Sequence, residues 1–403
     1  MKVVVLTHTF PRDSQDPSAA FMKEFCDGLT LNNNKVFVIT PFDPRFNRQG
    51  DPFKIITYKY IWPDRLHMLG YSRTMEADIA LRKRAYFLIP FMVFFSAVTL
   101  FRTVKKQKIE IINAHWLIPN GFIAMIVSVL TGVPYVITVP GTDAYLATKY
   151  KLIGLVAKLT AEKSKAIFSN SRVNLNKILS LGVNPAVKAV ISYPVDISKF
   201  GQSQSELEYI RKKHNLKKDD LIILAVGRLV YKKGYDYLIR AIKSLQNYHI
   251  KLLIAGEGDL KNKWEKLSRS LGIGDKVLFI GNINRDEIVN YYNLSDIMVA
   301  PSIIDKEGNV DGGPVANFEG MACGKPQVVT DVLGIADVIE NGVNGFVVPQ
   351  KSVKALTLAL KKLIESQSLR KKMGQANREL IRKKLTTKRI GKKYTDLFKQ
   401  ILQ

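Results

Sequence analysis

The strongest constraint on the fold is a repeated alternation of short apolar runs with longer amphipathic stretches. Apolar runs that end near Gly or Pro are typical of buried strands, and the stretches between them have the periodicity of helices. This alternation predicts parallel sheets covered by helices. The predicted strands are Lys2–Thr7, Val36–Thr40, Ile109–Ala114, Tyr135–Val139, Ala166–Ser169 and Lys188–Ile191 in the first half, and Leu221–Val226, Ile250–Ala255, Val277–Ile280, Ile297–Ala300, Gln327–Thr330 and Phe346–Val348 in the second.

A segment typical of a linker separates the two sets of strands. It consists of Ser192–Asp196 and a polar, lysine-containing stretch up to Asp220. We therefore predict an α/β protein with two doubly wound Rossmann-like domains, residues 1–195 and 196–385, whose parallel sheets face each other across a cleft. Residues 386–403 are predicted to form a helix that packs back on the first domain. Open parallel sheets bind ligands beyond the carboxyl ends of their strands.

The chain is strongly basic, with 61 Lys and Arg against 35 Asp and Glu and a formal net charge of +26. Such a surplus attracts nucleic acid, anionic lipid or phosphate-rich substrates. Common nucleic-acid-binding motifs are absent from the sequence and the basic residues are dispersed, so nucleic acid is not predicted as a partner. A lysine-rich host proteome remains an alternative explanation.

The two cysteines, Cys26 and Cys323, match no disulfide or metal spacing, which favours a reducing compartment. The N-terminal run lacks the pattern of a signal peptide.

Ala85–Phe101 carries no charge and is flanked by basic residues. At ~1.5 Å per residue it falls short of the ~30 Å hydrocarbon core, so a spanning helix is not expected. We predict a helix with one face in the core and the other docked on an anionic membrane surface.

Two loops of the second half carry the residues expected to do chemistry. In Ala225–Gly234 a buried strand ends at a glycine, and Arg228 and Lys233 follow before the next helix. Fixed cations beside a helix N-terminus suit a diphosphate. The second loop places Asp311, Gly312, Gly313 and Pro314 before a helix that is predicted to start near Val315 and contains Glu319. Two carboxylates can accept hydrogen bonds from two sets of sugar hydroxyls.

Together these segments resemble family 4 of the retaining glycosyltransferases, whose hallmarks are a Gly-Arg-Leu…Lys-Gly loop and two acids separated by seven residues. Asp311 and Glu319 have that separation. The runs Glu319–Val329 and Asn341–Pro349 are similar to the family's C-terminal signature. Ile254–Asp259, which contains Gly256, resembles its glycine-rich turn, and Ser192–Phe200 its hinge. The resemblance is strong over residues 221–349 and looser before them.

The resemblance implies a GT-B fold and roles for individual residues. Arg228 and Lys233 would hold the diphosphate of a nucleotide-sugar, Asp311 would contact sugar hydroxyls beside Gly312 and Gly313, and Glu319 would bind the ribose. The base would lie against Asn282 and Ile283. The first domain would bind the acceptor and the second the donor. The resemblance also implies retention of anomeric configuration without a bound metal or other cofactor.

The first half departs from the family pattern. Pro140 stands where the family usually has a histidine, while Gly141, Thr142 and Asp143 remain and are predicted to line the cleft, with Asp143 as a catalytic candidate. Asp16–Ala20 replaces an early double glycine, and Asp311 is shorter than the usual glutamate. His115, in a segment similar to the family's Ala-His-x-x-x-Pro-x-Gly, is predicted on the acceptor side; a structural role for it is the alternative.

The predicted function is transfer of a hexose-type sugar from a nucleotide-diphosphate donor to a lipid-linked or cell-envelope glycan. The predicted location is the cytoplasm, with peripheral association at the inner face of the membrane. A nucleotide-sugar 2-epimerase of the same fold and a catalytically inactive nucleotide-sugar-binding module remain alternatives. The nucleobase, the sugar and the acceptor stay open.

Overall fold

The structure is a computed structural model that describes residues 1–16, 19–70, 75–76, 80–81, 86–200, 204–306, 308, 311, 315–332 and 334–403. The chain divides into two compact units. Unit 1 comprises Met1–Pro194 and Thr386–Gln403, and unit 2 comprises Val195–Leu385.

Unit 1 is built on a seven-stranded parallel sheet with strand order β3-β2-β1-β6-β7-β8-β9. A separate antiparallel pair, β4–β5, lies outside this sheet. The strands of unit 1 are β1 (Lys2–Leu6), β2 (Lys35–Pro41), β3 (Lys54–Tyr58), β4 (Met75–Glu76), β5 (Ala80–Leu81), β6 (Ile111–His115), β7 (Tyr135–Val139), β8 (Ala166–Ser169) and β9 (Val187–Val190).

The central strands of the seven-stranded sheet are buried throughout their length, because helices cover the faces of a parallel sheet. The main helices of unit 1 are α1 (Ala20–Thr30), α2 (Ile89–Gln107), α3 (Phe122–Thr131), α4 (Thr142–Lys149), α5 (Lys151–Glu162), α6 (Arg172–Leu179) and α14 (Thr387–Leu402). Strand residues such as Ile112 and Ile137 pack with Leu100 of α2 and Ile123 of α3 in one core cluster.

Helix α14 joins unit 1 by packing against α1. It starts where the Thr386 side chain accepts a hydrogen bond from the Arg389 N–H. Gly391 meets Gly28 backbone to backbone, and a Cβ on Gly391 would lie 2.0 Å from the Gly28 carbonyl oxygen. Only glycine permits this approach, so the two glycines fix where the last helix crosses the first.

Unit 2 contains a six-stranded parallel sheet with strand order β12-β11-β10-β13-β14-β15. Its strands are β10 (Leu221–Val226), β11 (Ile250–Ala255), β12 (Val277–Gly281), β13 (Ile297–Ala300), β14 (Gln327–Thr330) and β15 (Gly345–Val348). Its main helices are α7 (Gln204–Lys213), α8 (Tyr235–Ser244), α9 (Lys261–Ser270), α10 (Ile288–Leu294), α11 (Val315–Ala322), α12 (Val353–Glu365) and α13 (Gln367–Leu380).

The observed sheets confirm the predicted fold class of two parallel, doubly wound, Rossmann-like halves. Each predicted strand is present, and its ends are shifted by at most two residues. Strand β3 was not predicted. Ala85 lies outside the described residues, and α2 begins at Ile89. In the part of the chain that the structure describes, none of the helices combines the length and hydropathy needed to cross a bilayer.

Candidate functional site

Three glycine turns meet at the carboxyl edge of the unit 2 sheet. The Gly227 N–H donates to the Ala255 carbonyl (2.9 Å) and the Gly256 N–H to the Gly281 carbonyl (2.8 Å). Gly256 has φ +137°, and a Cβ there would lie 2.1 Å from the Gly227 carbonyl oxygen. A larger residue would therefore separate the loops that follow β10 and β11, so Gly256 sets the shape of this edge.

The loop after β10 brings Lys233 back over the end of its own strand. A 3₁₀ turn, Tyr231–Lys233, leads into α8 through Gly234, whose φ is +63°. The Cε and Nζ atoms of Lys233 would both lie 2.8 Å from a Cβ on Gly227. The glycine at this strand end thus makes room for the lysine side chain.

Lys233 forms an ion pair with Asp311 from the loop after β13. The side chains of the two residues keep only 13% and 15% of their exposure. The Ser302 hydroxyl donates a longer hydrogen bond to the same carboxylate (3.5 Å). Residues that stand far apart in the sequence therefore meet above the ends of two adjacent strands, β10 and β13.

The charges around Asp311 determine its protonation. Burial alone would raise the pKa of this carboxyl, but Lys233, then Lys232, and finally Arg228 outweigh burial and hold the pKa below its ordinary value. Asp311 is therefore ionised at neutral pH. Arg228 is exposed and near enough to contribute to this shift, so the structure brings Arg228, Lys233 and Asp311 into one electrostatic cluster.

Glu319 belongs to a second cluster on α11. Its carboxylate accepts a hydrogen bond from the hydroxyl of Tyr292 on α10 (2.6 Å). Burial, reinforced by the Glu319 charge, raises the pKa of Tyr292 well above its ordinary value, so the phenol stays protonated and donates. Arg285 is the cation that opposes this shift. The tyrosine holds one oxygen of a half-buried acid in place.

The remaining predicted donor-side residues fall into two groups. Gly312, Gly313 and Pro314 lie outside the described residues. Asn282, which is exposed, and Ile283, which is half-buried, follow Gly281 at the end of β12. They extend the same carboxyl edge on which Gly256 lies.

Unit 1 also presents polar and aromatic residues at the carboxyl edge of its sheet. His115 ends β6 and is 2% exposed. Among the described residues, neither of its ring nitrogens has a hydrogen-bond partner. Burial, with a smaller effect from His8, lowers its pKa to about 3, and burial lowers the pKa of His8 to about 4. Both imidazoles are therefore neutral at pH 7.

The residue after His115 has a strained backbone. Trp116 has φ +72° and ψ 129°, a conformation that costs a bulky residue about 1–3 kcal/mol. Its N–H donates to the Thr138 carbonyl (2.9 Å) and its carbonyl accepts from the Gly121 N–H (3.1 Å). Hydrogen bonds on both sides hold the strained conformation in place.

Asp143 is hydrogen-bonded to the backbone of this turn. It is 3% exposed, and its carboxylate accepts from the N–H groups of Leu117 (2.6 Å) and Gly141 (3.2 Å). Burial raises its pKa to about 6, against the lowering effect of these bonds. The geometry gives Asp143 a positioning role, and its predicted catalytic role stays a prediction. Thr142 is the first residue of α4.

Pro140 contributes its carbonyl to the same edge. The Asn170 side chain donates to this carbonyl (3.0 Å), so the residue in place of the usual histidine still anchors the loop through its backbone.

Sequence reasoning did not anticipate the partners Tyr292, Ser302 and Lys232, nor the ring of His8 at Trp116. The described residues contain no group of three or more His, Cys, Asp or Glu side chains able to hold a metal ion; metal independence stays a prediction.

Comparison with known proteins places this architecture in a class. Residues 207–380 match the family model described as glycosyl transferases group 1, and residues 14–171 match glycosyl transferase 4-like. An uncharacterized glycosyltransferase of Methanocaldococcus jannaschii is 28% identical over 99% of this chain and 98% of its own. An Escherichia coli enzyme named UDP-Gal:α-D-GlcNAc-diphosphoundecaprenol α-1,3-galactosyltransferase is 26% identical over 68% of this chain and 71% of its own.

Solved structures agree on the fold. Anabaena HepE, determined in complex with UDP, superposes with a TM-score of 0.76 at 17% identity and covers 99% of this chain and 100% of its own. The two parallel-sheet units are thus those of the GT-B glycosyltransferases. Within that class, the two family-model matches and the named relatives support a glycosyltransferase of the family 4 type, the glycosyl transferases group 1.

Proposed function

We propose that this glycosyltransferase moves a hexose-type sugar from a nucleotide-diphosphate donor to a lipid-linked or cell-envelope glycan, with retention of anomeric configuration. The observation that carries the proposal is the cluster of Arg228, Lys232 and Lys233 around one ionised acid, Asp311, at the carboxyl edge of the unit 2 sheet. Fixed cations at such an edge are suited to a diphosphate.

The cations would act mainly in the transition state. Sugar transfer passes through an oxocarbenium-like state, in which negative charge grows on the leaving diphosphate. Groups placed there beforehand stabilise the transition state more than the bound donor. An ammonium has three donors, so the bond from Lys233 to Asp311 does not exhaust it. Asp311 would orient that ammonium and accept hydrogen bonds from the donor sugar.

Glu319 would bind the ribose of the donor. Its carboxylate can accept several hydrogen bonds, and one of these comes from the Tyr292 hydroxyl at 2.6 Å. The same tyrosine fixes the direction in which the acid presents its remaining acceptors. Arg228, Lys233, Asp311 and Glu319 would therefore hold the donor without a metal ion.

The chemical step is proposed as front-face attack. The bond from the anomeric carbon to the phosphate oxygen breaks while a bond from the same carbon to the acceptor oxygen forms on the same face. The acceptor's proton passes to the leaving phosphate. This assignment leaves no task for a basic histidine, consistent with the low pKa values of His8 and His115.

The proposed acceptor class rests on an exposed apolar surface of unit 1. It is formed by three helices in which α2 contacts α3 and α3 contacts α5. Large apolar residues on and beside these helices are exposed, with Phe94 at 62%, Val129 at 71% and Leu155 at 66%. The members of this apolar surface are Tyr86, Phe87, Phe91, Phe94, Phe95, Phe101, Val129, Leu130, Tyr150, Leu152, Leu155 and Leu159.

In helix α5 the exposed face is the one that carries the large apolar residues. It buries its small residues Gly154, Ala157 and Ala161 and leaves Leu152, Leu155 and Leu159 exposed. A helix of a water-soluble protein normally does the reverse, and contiguous exposed apolar surface indicates an interaction site. Exposed cations accompany the surface, namely Arg102, Lys105, Lys106, Lys108, Lys151 and Lys163.

An anionic lipid surface fits both features, since apolar side chains enter the acyl boundary and cations attract the head groups. Flotation with vesicles of phosphatidylcholine, with and without phosphatidylglycerol, tests this. We expect binding that requires the anionic lipid and is lost in Leu155→Glu, whereas Leu358→Glu, at a comparably exposed leucine of unit 2, keeps it. Equal behaviour of the two variants would refute the membrane assignment.

Activity tests the donor site directly. Arg228→Ala should lower kcat roughly a hundredfold if it acts like other single electrostatic donors in transition states. Arg240→Ala, which removes an exposed arginine from α8, is the matched control and should leave kcat unchanged. A wild-type rate in Arg228→Ala would remove the arginine from the mechanism.

The two alternatives predict different products. A 2-epimerase converts the nucleotide-sugar without releasing the nucleotide, and an inactive module binds the donor without changing it. Incubation of common nucleotide-sugars with the enzyme alone, followed by phosphatase-coupled detection of free nucleotide diphosphate, separates the transferase from both alternatives, and chromatography of the recovered nucleotide-sugar separates the epimerase from the inactive module. Slow nucleotide release supports the transferase.

A further inference from the structure

Four partly exposed rings form a continuous group at the carboxyl edge of the unit 1 sheet. His8 follows β1, Phe21 lies in the first turn of α1, Trp116 follows β6 and Tyr193 follows β9. Ring centroids are 4.2 Å apart for His8 and Trp116, 6.2 Å for Phe21 and Trp116, and 4.3 Å for Phe21 and Tyr193. We refer to these four residues as the aromatic platform.

The platform adjoins a small cavity with an unpartnered polar group. The cavity has a volume of about 10 Å³ and is lined by Phe21, Tyr193, His115 and Asn170, among others. His115 is 2% exposed, and among the described residues both of its ring nitrogens lack a hydrogen-bond partner. A volume of this size admits one water-sized group, such as a single hydroxyl. A buried polar side chain without a partner is costly unless a ligand completes it.

The backbone of Trp116 provides a separate indication of function. Its strained φ of +72° is held by hydrogen bonds at its own N–H and carbonyl, and the next N–H, of Leu117, is held by Asp143. Strain that the surrounding structure maintains clusters at ligand sites. Here it places an indole beside His8 at the edge of the sheet.

We propose that the aromatic platform is a stacking site for a pyranose ring of the acceptor, with His115 as the hydrogen-bonding partner of one of its hydroxyls. A pyranose has faces made of C–H groups, which suit the negative face of an aromatic ring, and a rim of hydroxyls that needs polar partners. This inference rests on the proposed function, because it assigns the platform to the acceptor of the transfer reaction.

The charge state of the platform fits a neutral ligand. Burial holds the pKa of His8 and of His115 well below neutrality, so neither ring is a cation at pH 7. Asp143 is engaged by the N–H groups of Leu117 and Gly141. A phosphate would find no counter-charge in these groups, whereas a sugar ring requires none.

Tryptophan fluorescence tests the platform. The chain has three tryptophans: Trp62 is 85% exposed and Trp264 of unit 2 is 1% exposed. Full-length Trp62→Phe protein therefore reports on Trp116 over a constant signal from Trp264. Titration with methyl pyranosides of glucose, galactose and N-acetylglucosamine should give a saturable change for at least one of them. Sorbitol, which has no ring, should give none, and the response should vanish when Trp116→Phe is added.

Two further variants separate binding from misfolding. In the Trp62→Phe background, Phe21→Leu should weaken the pyranoside affinity by roughly threefold to tenfold, and His115→Asn should weaken it in the same direction. Circular dichroism confirms the fold of each variant. No response to any pyranoside, a response that persists without Trp116, or a stronger response to uridine or guanosine than to the pyranosides would overturn the proposal.

The same protein distinguishes this failure from failure of the proposed function. Thermal shift with UDP-, GDP- and ADP-sugars reports on the donor site of unit 2. Stabilisation by a nucleotide-sugar without any pyranoside response refutes only the proposed stacking role of the aromatic platform. A pyranoside response without nucleotide-sugar binding refutes the proposed transfer reaction and leaves the platform as a sugar-binding surface.

Discussion

Replacement of Lys233 by Met tests how strongly the donor loop depends on a single ion pair. The Lys233 and Asp311 side chains are 13% and 15% exposed, so the ion pair is mostly shielded from solvent. Removing one partner of a buried pair costs about 3–5 kcal/mol, whereas a surface pair contributes about 0.2–1 kcal/mol. We expect Lys233→Met to lower the free energy of unfolding of unit 2 by about 2–3 kcal/mol at pH 7, because Asp311 stays ionised without its main partner.

A double-mutant cycle isolates the pair and requires Asp311→Asn both alone and in the Lys233→Met background. In the double variant the loss of the stranded charge should recover part of the stability, and the cycle should give a coupling energy of about 1–2 kcal/mol. Urea unfolding followed by Trp264 emission, in a protein with Trp62→Phe and Trp116→Phe, restricts the signal to unit 2. Additive effects within about 0.5 kcal/mol would refute the pairing.

The pH dependence of the same series has a definite sign. The folded-state pKa of Asp311 lies below its ordinary value, so its contribution to stability is present above the unfolded-state pKa and is lost as the pH falls through the folded-state pKa. Without Lys233, burial becomes the dominant effect and raises that pKa. The difference in stability between wild type and Lys233→Met should therefore begin to shrink as the pH falls through the raised folded-state pKa of Asp311 in the variant, and should keep shrinking until the pH reaches the lowered folded-state pKa of the wild type; a constant difference would contradict the assignment of the charge.

Three further predictions follow from packing and hydrogen bonding. Gly391→Ala should destabilise unit 1 by about 2–3 kcal/mol through overpacking, whereas the exposed neighbour Lys388→Ala should have little effect; urea unfolding of Trp62→Phe protein, in which Trp116 reports on unit 1, measures both. Since the folded-state pKa of His8 is lowered to about 4, wild type should lose stability relative to His8→Asn as the pH falls from 6.5 to 4, by at most about 1.4 kcal/mol per pH unit; identical slopes would contradict this. Tyr292→Phe should weaken nucleotide-sugar binding roughly fivefold to tenfold by freeing the Glu319 side chain, and calorimetry that gives wild-type affinity would exclude this role.

The fold could be predicted because its strands carry their own signal. Each strand of the two sheets' interiors is a short apolar run, and these runs were sufficient to identify the parallel sheets. Strand β3, Lys54–Tyr58, escaped prediction because it lies at a sheet edge and most of its residues are at least partly exposed. Its pattern therefore lacks the continuous apolar run of a central strand.

The exposed apolar surface could be predicted only in part. The charge-free run around α2 signalled it, but α5 did not, since Leu152, Leu155 and Leu159 have the spacing of an ordinary core stripe. The structure buries the small residues on the opposite face instead. Periodicity identifies the two faces of a helix and does not determine which one meets the core.

The candidate site could also be predicted only in part. Arg228, Lys233 and Asp311 could be named from their motifs, because those motifs place charge at strand ends. The partner Tyr292 could not, since its contact with Glu319 joins two helices across 27 residues of sequence. The aromatic platform was equally hidden, because its rings come from four separate segments.

The most direct test of the central claim is a thermal-shift comparison of nucleoside diphosphates with the corresponding nucleosides. Fixed cations at the unit 2 sheet edge predict that at least one of UDP, GDP and ADP stabilises the protein, by about 2.7 kcal/mol at a hundred times its dissociation constant. The parent nucleoside should stabilise it far less, and Arg228→Ala should reduce the diphosphate effect while Arg240→Ala leaves it intact. The account would be contradicted if the nucleoside stabilised the protein as much as the diphosphate does. It would also be contradicted if the diphosphate stabilised wild type and Arg228→Ala equally.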